Sequence, residues 1–263
     1  MSPASAARVT DIFRFPVKGL GADPLDQVSL SAGETLPLDR AYAVENGPGR
    51  FDPENPEHLP KVAFLMLMRN ERLAALETRF EEDGHVLTIL RNDRQVAKGS
   101  LVTPIGRQLI EQFLAGYMGS DLRGAPRIVC APGHSFTDMS EKCVHIVNLA
   151  SLRELERALG KPVDPLRFRA NFYVELHEPW IEFAWLGQEL GLGDARLNVF
   201  ERTGRCEATA VDPKSGARNM AITAALTRTW GHDDFGVYAK VTAPGRVSRG
   251  SSIEFGKKGK LPF

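Results

Sequence analysis

Residues 196–216 read Arg-Leu-Asn-Val-Phe-Glu-Arg-Thr-Gly-Arg-Cys-Glu-Ala-Thr-Ala-Val-Asp-Pro-Lys-Ser-Gly, a strand pattern that runs into a turn carrying a cysteine. Apolar and polar residues alternate over 196–202, which predicts a half-buried strand. Cys206 then follows a turn that contains Gly204 and is flanked by Arg202 and Arg205. Nearby guanidinium charge favours the thiolate, a nucleophile and soft metal ligand. A cysteine beside a strand is also commonly a small buried apolar residue, so both interpretations stay open.

The rest of the chain carries many short patterns of the same kind. β-Branched and aromatic residues alternate with polar ones and predict further strands over 8–17, 27–30, 40–44, 62–67, 74–80, 85–90, 127–130, 143–149, 169–176, 188–190, 208–211 and 238–241. Three prolines between Arg50 and Lys61 predict an irregular surface loop or lid.

Helical patterns are few. One helix is predicted over 104–118 with Thr103 as its cap, and another over 152–159 with Ser151 as N-cap, Glu154 at the capping-box position and Gly160 at its end. Gly and Pro over 119–126 indicate a boundary, which divides the chain into 1–120 and 121–263. Many strands and few helices predict a β-rich α+β fold with an N-terminal β-barrel-like domain and a C-terminal β-barrel, rather than a doubly wound sheet.

Composition excludes several classes of protein. In 263 residues, 33 Lys and Arg balance 33 Asp and Glu, so the chain lacks the basic field that nucleic-acid or anionic-membrane partners require. Three widely spaced cysteines suit neither a disulfide framework nor a Cys-x-x-Cys metal site, which favours a reducing compartment. With no leader pattern at the start, a cytoplasmic protein is expected. Without a heptad pattern, a monomer is the default expectation.

Four other polar clusters could carry chemistry. Lys18 beside Gly19 can present an ammonium and bare backbone N–H groups to an anion, and Arg40 follows about twenty residues later. In residues 167–171 every second position from Arg167 to Arg169 is basic, so these side chains share one strand face. Residues 136–140 form a polar loop. Surface salt bridges and solvated strand faces explain such clusters equally well. The sequence holds no His-x-x-x-His pair, Gly-x-Ser-x-Gly elbow or common nucleotide-binding motif, which disfavours zinc and serine hydrolases and the common nucleotide folds.

Taken in order, these clusters resemble the MOSC family, named after the C-terminal domain of molybdenum cofactor sulfurase, and especially its amidoxime-reducing branch. The resemblance covers nearly the whole chain. It rests on Phe15-Pro-Val-Lys18-Gly, Leu38-Asp-Arg40, Phe136-Thr-Asp138, Phe168-Arg169-Ala-Asn171, the segment from Gly204 to Gly216, and Phe235-Gly-Val-Tyr238. It implies a MOSC N-terminal β-barrel domain over 1–120 and the MOSC domain over 121–263.

The resemblance also implies a molybdenum cofactor, molybdopterin with bound molybdenum, and a role for each cluster. Cys206 corresponds to the cysteine that gives a thiolate to the metal, and Asp138 to a proton donor or a partner of one. The implied cofactor-binding residues are Lys18, Gly19, Arg40, Arg169, Asn171, Gly204 and Arg205. Gly19 and Gly204 stand where the family often has serine, so backbone N–H groups replace hydroxyl contacts there. Family descriptions include pyridoxal phosphate binding as well.

The implied activity is reduction of N-hydroxylated compounds: hydroxylamines, amidoximes and N-hydroxylated bases. Electrons would come from a separate protein, either cytochrome b5-like, ferredoxin-like or a flavin reductase. An alternative is a sulfur-carrier or cofactor-binding module that acts through a persulfide on Cys206 without reductase turnover. A degenerate, purely structural member is a third interpretation.

Overall fold

The computed structural model describes residues 7–47 and 49–255 and is rich in β-structure. The strands are β1 (Arg8–Arg14), β2 (Asp23–Leu25), β3 (Gln27–Leu30), β4 (Ala43–Glu45), β5 (Glu77–Glu81), β6 (Val86–Arg91), β7 (Arg94–Ser100), β8 (Arg127–Val129), β9 (Val144–Asn148), β10 (Phe172–Glu175), β11 (Glu189–Leu192), β12 (Ala195–Gly204), β13 (Asp234–Ala243), β14 (Gly245–Ser248) and β15 (Ile253–Phe255). The helices are α1 (Pro104–Met118), α2 (Leu149–Leu159) and α3 (Ile222–Trp230). The predicted β-rich class with few helices is confirmed.

One eight-stranded sheet dominates the fold, in the order β15-β11-β12-β13-β9-β10-β1-β2. Its pairs are antiparallel except for β9 and β10, which run parallel. Smaller sheets join β3 with β14, β4 with β8, and β5 with β6 and β7. The first strand of the chain therefore lies inside a sheet built mostly from its second half.

Alternation along the strands of the large sheet divides the apolar side chains between two faces. Ile146 and Phe172 pack into one core, while their neighbours Val147 and Tyr173 pack on the other face against α2 and α3. A third core joins α1 to the sheet of β5, β6 and β7 and is drawn mainly from residues 17–128.

The predicted division into 1–120 and 121–263 stays a prediction, and hydrogen bonds cross it in three places. β1 pairs with β10, β3 with β14, and β4 with β8. By hydrogen bonding, β1 and β3 belong with the second half of the chain.

Three element predictions are corrected by the structure. α2 begins at Leu149, because Asn148 accepts a hydrogen bond from the Ala150 backbone and acts as the cap, whereas the predicted cap Ser151 lies in the first turn and donates to Glu182. Residues 62–67 form no strand: a 3-10 turn covers Lys61–Ala63, and Phe64 makes an isolated bridge. Residues 208–211 lie mostly in a 3-10 turn, Glu207–Ala210, because Thr209 bonds back to the Cys206 carbonyl.

Helix α3 was not predicted, although its signals are present in the sequence. Ile222, Ala225 and Leu226 recur at helical spacing on its buried side, and Gly231 ends it in the left-handed conformation. Its N-cap position holds Ala221, which offers no capping oxygen. The Pro-rich segment has no helix or strand over 50–60, as the sequence predicts.

Two glycines in α1 give a matched test of its packing. A Cβ at Gly106 would lie 2.2 Å from the Ser100 carbonyl oxygen, whereas nothing lies within 4 Å of one at Gly116. We expect Gly106→Ala to lower the free energy of unfolding by about 1–3 kcal/mol through overpacking. Gly116→Ala should raise it by about 0.5–1 kcal/mol through helix propensity. Urea unfolding followed by circular dichroism measures both, and equal effects of the two substitutions would contradict the close packing of α1 on β7.

Candidate functional site

A single cleft of about 370 Å³ brings the predicted site residues together. It is lined by Lys18, Gly19, Arg40, Asp138, Arg169, Asn171, Gly204, Arg205 and Cys206, which are all the residues named from the sequence. The chemical roles of these residues stay predictions, whereas their positions around one cleft are a property of the fold.

Main-chain hydrogen bonds hold three of the sequence clusters in register at this cleft. The Lys18 N–H donates to the Tyr42 carbonyl, the Arg40 N–H donates to the Phe15 carbonyl, and the Phe136 N–H donates to the Arg40 carbonyl. Segments that lie far apart in the sequence are thereby fixed to one another by their backbones. Their side chains consequently project from a rigid frame.

Cys206 lies just beyond the end of β12, where the chain leaves the large sheet. The Arg205 N–H donates to the Asp233 carbonyl, which keeps the departing chain against the start of β13. The Cys206 carbonyl accepts from both the backbone N–H and the hydroxyl of Thr209. The cysteine is half-buried, so its backbone is fixed while its side chain lines the cleft.

Two arginines that line the cleft lie over the buried ring of Phe15. The guanidinium carbons of Arg40 and Arg169 are 4.4 Å and 4.2 Å from the ring centroid, within the range of a cation–π contact. Arg40 also donates to the Arg169 carbonyl at 2.8 Å. Both residues have left-handed backbones, with φ of 49° and 51°. Such conformations are uncommon outside glycine and concentrate at functional sites.

The charge of these two arginines is compensated unequally. Asp39 pairs with Arg40 at 2.5 Å and also accepts the Phe15 N–H, whereas Arg169 donates to the Leu20 carbonyl. Burial, and then repulsion from Arg40, lower the pKa of Arg169 to about 9. A guanidinium in this state gains stability when an anion binds beside it. Asp39 was missed as a site residue because a carboxylate next to an arginine in sequence carries no distinct signal.

Lys18 and Asp138 form an ion pair at the cleft, and the lysine also donates to the Phe136 carbonyl at 2.8 Å. Burial lowers the pKa of Lys18, and Asp138 opposes that shift. Burial alone would raise the pKa of Asp138, but the charges of Lys18 and Lys61 and the Lys18 hydrogen bond bring it below its ordinary value. Asp138 is therefore a carboxylate at neutral pH, and Lys18 holds the proton of the pair.

The two glycines of the site differ in why they are glycine. Gly19 has a φ of 82°, and a Cβ there would lie 3.0 Å from the Leu65 carbonyl oxygen, so its turn disfavours serine. At Gly204 the nearest atoms to an added Cβ would be Asp233 and Asp234 oxygens at 3.9 Å. Space for a side chain therefore exists at Gly204, and sterics do not impose glycine at that position.

Asn171 and Arg205 differ in how far their polar groups are already engaged. The Asn171 side chain accepts the His145 N–H at 3.0 Å and donates to the Phe13 carbonyl at 3.3 Å, so it ties β1, β9 and the start of β10 together. Arg205 donates to the Phe168 carbonyl at 2.9 Å, and its buried Nε has no partner among the described residues. Of the two, Arg205 has the donor to spare for a ligand.

His145 is a lining residue that the sequence did not single out. It is buried, and its Nε2 has no hydrogen-bond partner within residues 7–47 and 49–255. Burial, then the charges of Arg205 and Arg40, hold its pKa well below the ordinary range, so the ring is neutral. A histidine inside an apolar strand is usually a packing residue, which is why periodicity gave no signal here.

The donor set of the cleft fits an anionic cofactor that carries a soft metal. Its lining contains six cationic side chains against three acidic ones: Lys18, Arg40, Lys61, Arg167, Arg169 and Arg205 against Asp39, Asp138 and Glu201. Arg205, whose Nε has no partner among the described residues, directly precedes Cys206, and both residues line the cleft. Guanidinium groups match phosphate geometry, and thiolate suits a soft metal. Among the described residues, no group of three His, Cys, Asp or Glu side chains is arranged to hold a metal ion.

Comparison with known proteins identifies one family. The family profile described as MOSC domain matches residues 122–254, about half of the chain. Two relatives, both named molybdenum cofactor sulfurase, come from Caenorhabditis briggsae and Danio rerio. They are 25% and 23% identical over 94% and 89% of this chain. The aligned regions cover 36% and 32% of those proteins, so the chain spans about a third of their length.

The solved structures to which this chain shows similarity include the YUAD protein of Bacillus subtilis and YiiM from Geobacillus stearothermophilus. The first is 13% identical, with a TM-score of 0.44 over 96% of this chain and 97% of that one. The second is 18% identical, with a TM-score of 0.35 over 44% of this chain and 55% of that one.

No helix in the described part of this chain has the length and apolar run needed to cross a membrane.

The environments of the cysteines predict which thiols react. Burial raises the pKa of Cys143 to about 12, so its thiol stays protonated at pH 8, whereas Cys206 is half-buried on the cleft wall. We expect iodoacetamide at pH 8 to label Cys206 in the folded protein and to leave Cys143 unmodified. Peptide mass spectrometry measures the label, and a sample in urea shows that all three cysteines can react. Labelling of Cys143 as fast as Cys206 in the folded protein would contradict the assignment.

Proposed function

Because this chain belongs to the MOSC domain family, we propose that it is a molybdenum-cofactor-dependent reductase of N-hydroxylated compounds. The supporting observation is that the half-buried thiol of Cys206 shares one cleft with Lys18, Arg40, Arg169 and Arg205. The proposed substrates are hydroxylamines, amidoximes and N-hydroxylated bases. The proposed electron donor is a separate protein, cytochrome b5-like, ferredoxin-like or a flavin reductase. The proposal includes a monomeric state and a cytoplasmic location.

In this proposal the side chains of the cleft bind the cofactor and fix its orientation. A bound molybdenum–pterin cofactor supplies the metal and the two electrons for cleavage of the N–O bond. Cys206 is the side chain suited to bond a soft metal, and Arg40, Arg169 and Arg205 are suited to hold a phosphate. Phe15 keeps two of these guanidinium groups in place through its ring, which limits the entropy lost on binding.

Reduction of a hydroxylamine to an amine and water consumes two electrons and two protons, so the cleft must deliver protons. Lys18 carries one at its Nζ, and its lowered pKa makes it a better acid than an exposed lysine. Asp138 accepts a hydrogen bond from that Nζ and orients it. The proposal thus assigns the proton to Lys18 and a positioning role to Asp138, which is the second of the two roles that the family resemblance implies for Asp138.

A second candidate function is transfer of sulfur or of cofactor through Cys206. It is favoured by the two relatives named molybdenum cofactor sulfurase, which match most of this chain. A persulfide carrier needs an accessible thiolate and a partner to receive the sulfur, but no proton donor beside it. The Lys18–Asp138 pair at the cleft is therefore the feature that favours reductase chemistry.

Metal content tests the proposed function directly. We expect protein from a cofactor-competent host to carry about one molybdenum and one pterin per chain, since a coordinating thiolate contributes to metal retention. Cys206→Ala should lose most of the molybdenum, whereas Cys130→Ala should retain it. Elemental mass spectrometry and pterin fluorescence measure the content. Wild-type protein that holds no molybdenum but accumulates persulfide on Cys206 would refute the reductase and support the carrier.

The pH profile tests the role of the ion pair. The Asp138 carboxylate opposes the downward shift in the pKa of Lys18, so Asp138→Asn should lower that pKa further. If Lys18 is the acid, activity falls as pH rises through its pKa, and the alkaline limb of kcat/KM should move to lower pH in Asp138→Asn. Asp83→Asn, at an exposed hairpin turn, is the control and should leave the limb in place. An unshifted limb in Asp138→Asn would remove Lys18 from the proton path.

A further inference from the structure

A second cavity adjoins the cleft. It measures about 350 Å³ and shares two lining residues, Met66 and Met68, with the cleft. These two residues line both spaces, so they form the partition between them. No sequence motif pointed to this region, because its wall is apolar and its basic residues are scattered along the chain.

The Met66 and Met68 side chains of this partition can change rotamer, while hydrogen bonds fix the backbone at Met66. The Met66 N–H donates to the Asn70 side chain at 3.1 Å, and the Asn70 N–H donates to the Met66 carbonyl at 2.8 Å, which closes a tight turn. Methionine is unbranched and adopts several rotamers at low cost. A ligand can therefore displace the thioether groups without unfolding the turn.

The charged residues that line the second cavity are mostly cationic. Arg69, Arg123 and Arg218 line it, and the one acidic residue on the lining within the described residues is Asp121, which pairs with Arg72 at 3.7 Å. Arg123 is fixed by a hydrogen bond to the Asn46 carbonyl at 2.7 Å and by another to the Val62 carbonyl. Arg69 is exposed. An excess of guanidinium charge in a concave, partly apolar space favours a carboxylate or phosphate.

Arg218 connects this cavity to the loop of Cys206. Its guanidinium donates to the Met68 carbonyl at 2.6 Å and to the Glu207 carbonyl at 3.2 Å, and it pairs with Glu71 at 3.1 Å. Glu207 directly follows Cys206 in the chain. The partition and the thiol loop are thus joined through one side chain, which fixes the second cavity relative to the proposed reaction centre.

We propose that the second cavity binds the carboxylate or phosphate end of a substrate whose N-hydroxylated end lies beside Cys206. The apolar middle of such a substrate would pack between Met66 and Met68. This inference rests on the proposed function, because it assigns the reacting end of the substrate to the main cleft. It defines the preferred substrate class as N-hydroxylated compounds with an anionic group beyond an apolar spacer.

A pair of probes tests the subsite by binding rather than by turnover. Benzamidoxime and 4-carboxybenzamidoxime are titrated calorimetrically into the cofactor-loaded protein without an electron donor. The carboxylate should tighten binding about tenfold in the wild type, as expected for a charge-assisted contact in a half-open site. Arg69→Gln should reduce that advantage to about threefold or less without changing benzamidoxime binding. Arg228→Gln, an exposed arginine on α3, is the matched control and should keep the full advantage.

The outcomes separate this inference from the proposed function. Equal affinity of the wild type for the two probes would overturn the subsite while leaving the reductase proposal intact. If neither probe binds, the proposed function fails. Binding of inorganic phosphate then tests whether the second cavity is an anion site. Weaker phosphate binding in Arg69→Gln than in Arg228→Gln would support an oxyanion site, and equal binding in the two variants would overturn it.

Discussion

The constraint on which the rest of the structure depends is the confinement of like charges in one cleft. Arg40 and Arg169 lie over the same aromatic ring, and Asp39 neutralises one of them. Holding guanidinium groups together costs Coulomb energy, and the cost grows as water is excluded. Cation–π contacts with the buried ring of Phe15 and backbone hydrogen bonds between distant segments offset that repulsion. Charge of this kind, without enough carboxylates to balance it, is the physical signature of an anion site.

The large sheet is what makes that confinement achievable. β1 lies between β10 and β2, so the segment that leads to Phe15 and Lys18 is fixed beside the segment that carries Arg169. On the far side of β9 and β13, β12 delivers Arg205 and Cys206 to the same cleft. Lys18 and Arg169 therefore come from one part of the large sheet, whereas the Cys206 thiol comes from the opposite part. Neither half of the chain contains the whole site, even though the family profile matches the second half.

The sequence was informative wherever chemistry and local pattern coincided. Lys18, Arg40, Arg169 and Cys206 stand in short clusters at strand ends, and the fold places them all on one cleft. The wrong helix start arose because two residues compete for the same capping role, and the sequence does not show which of them is used. Asn148 and Ser151 are both good capping residues, and only the buried Glu182 carboxylate decides that Ser151 is used elsewhere. Met66 and Met68 resemble core residues, because an apolar wall has no chemical signature in sequence.

The placement of β1 also has a consequence for the timing of biosynthesis. A ribosome completes β1 long before it completes β10, and Cys206 emerges later still. Until then β1 can pair with β2 but not with β10, so the clusters of Lys18 and Arg40 lack the segments that carry Arg169 and Cys206. The cleft can therefore close only after most of the polypeptide has left the exit tunnel. An anionic ligand that contacts both Arg169 and Arg205 can therefore bind only after these segments have folded together, so its binding is a step separate from synthesis of the first strands.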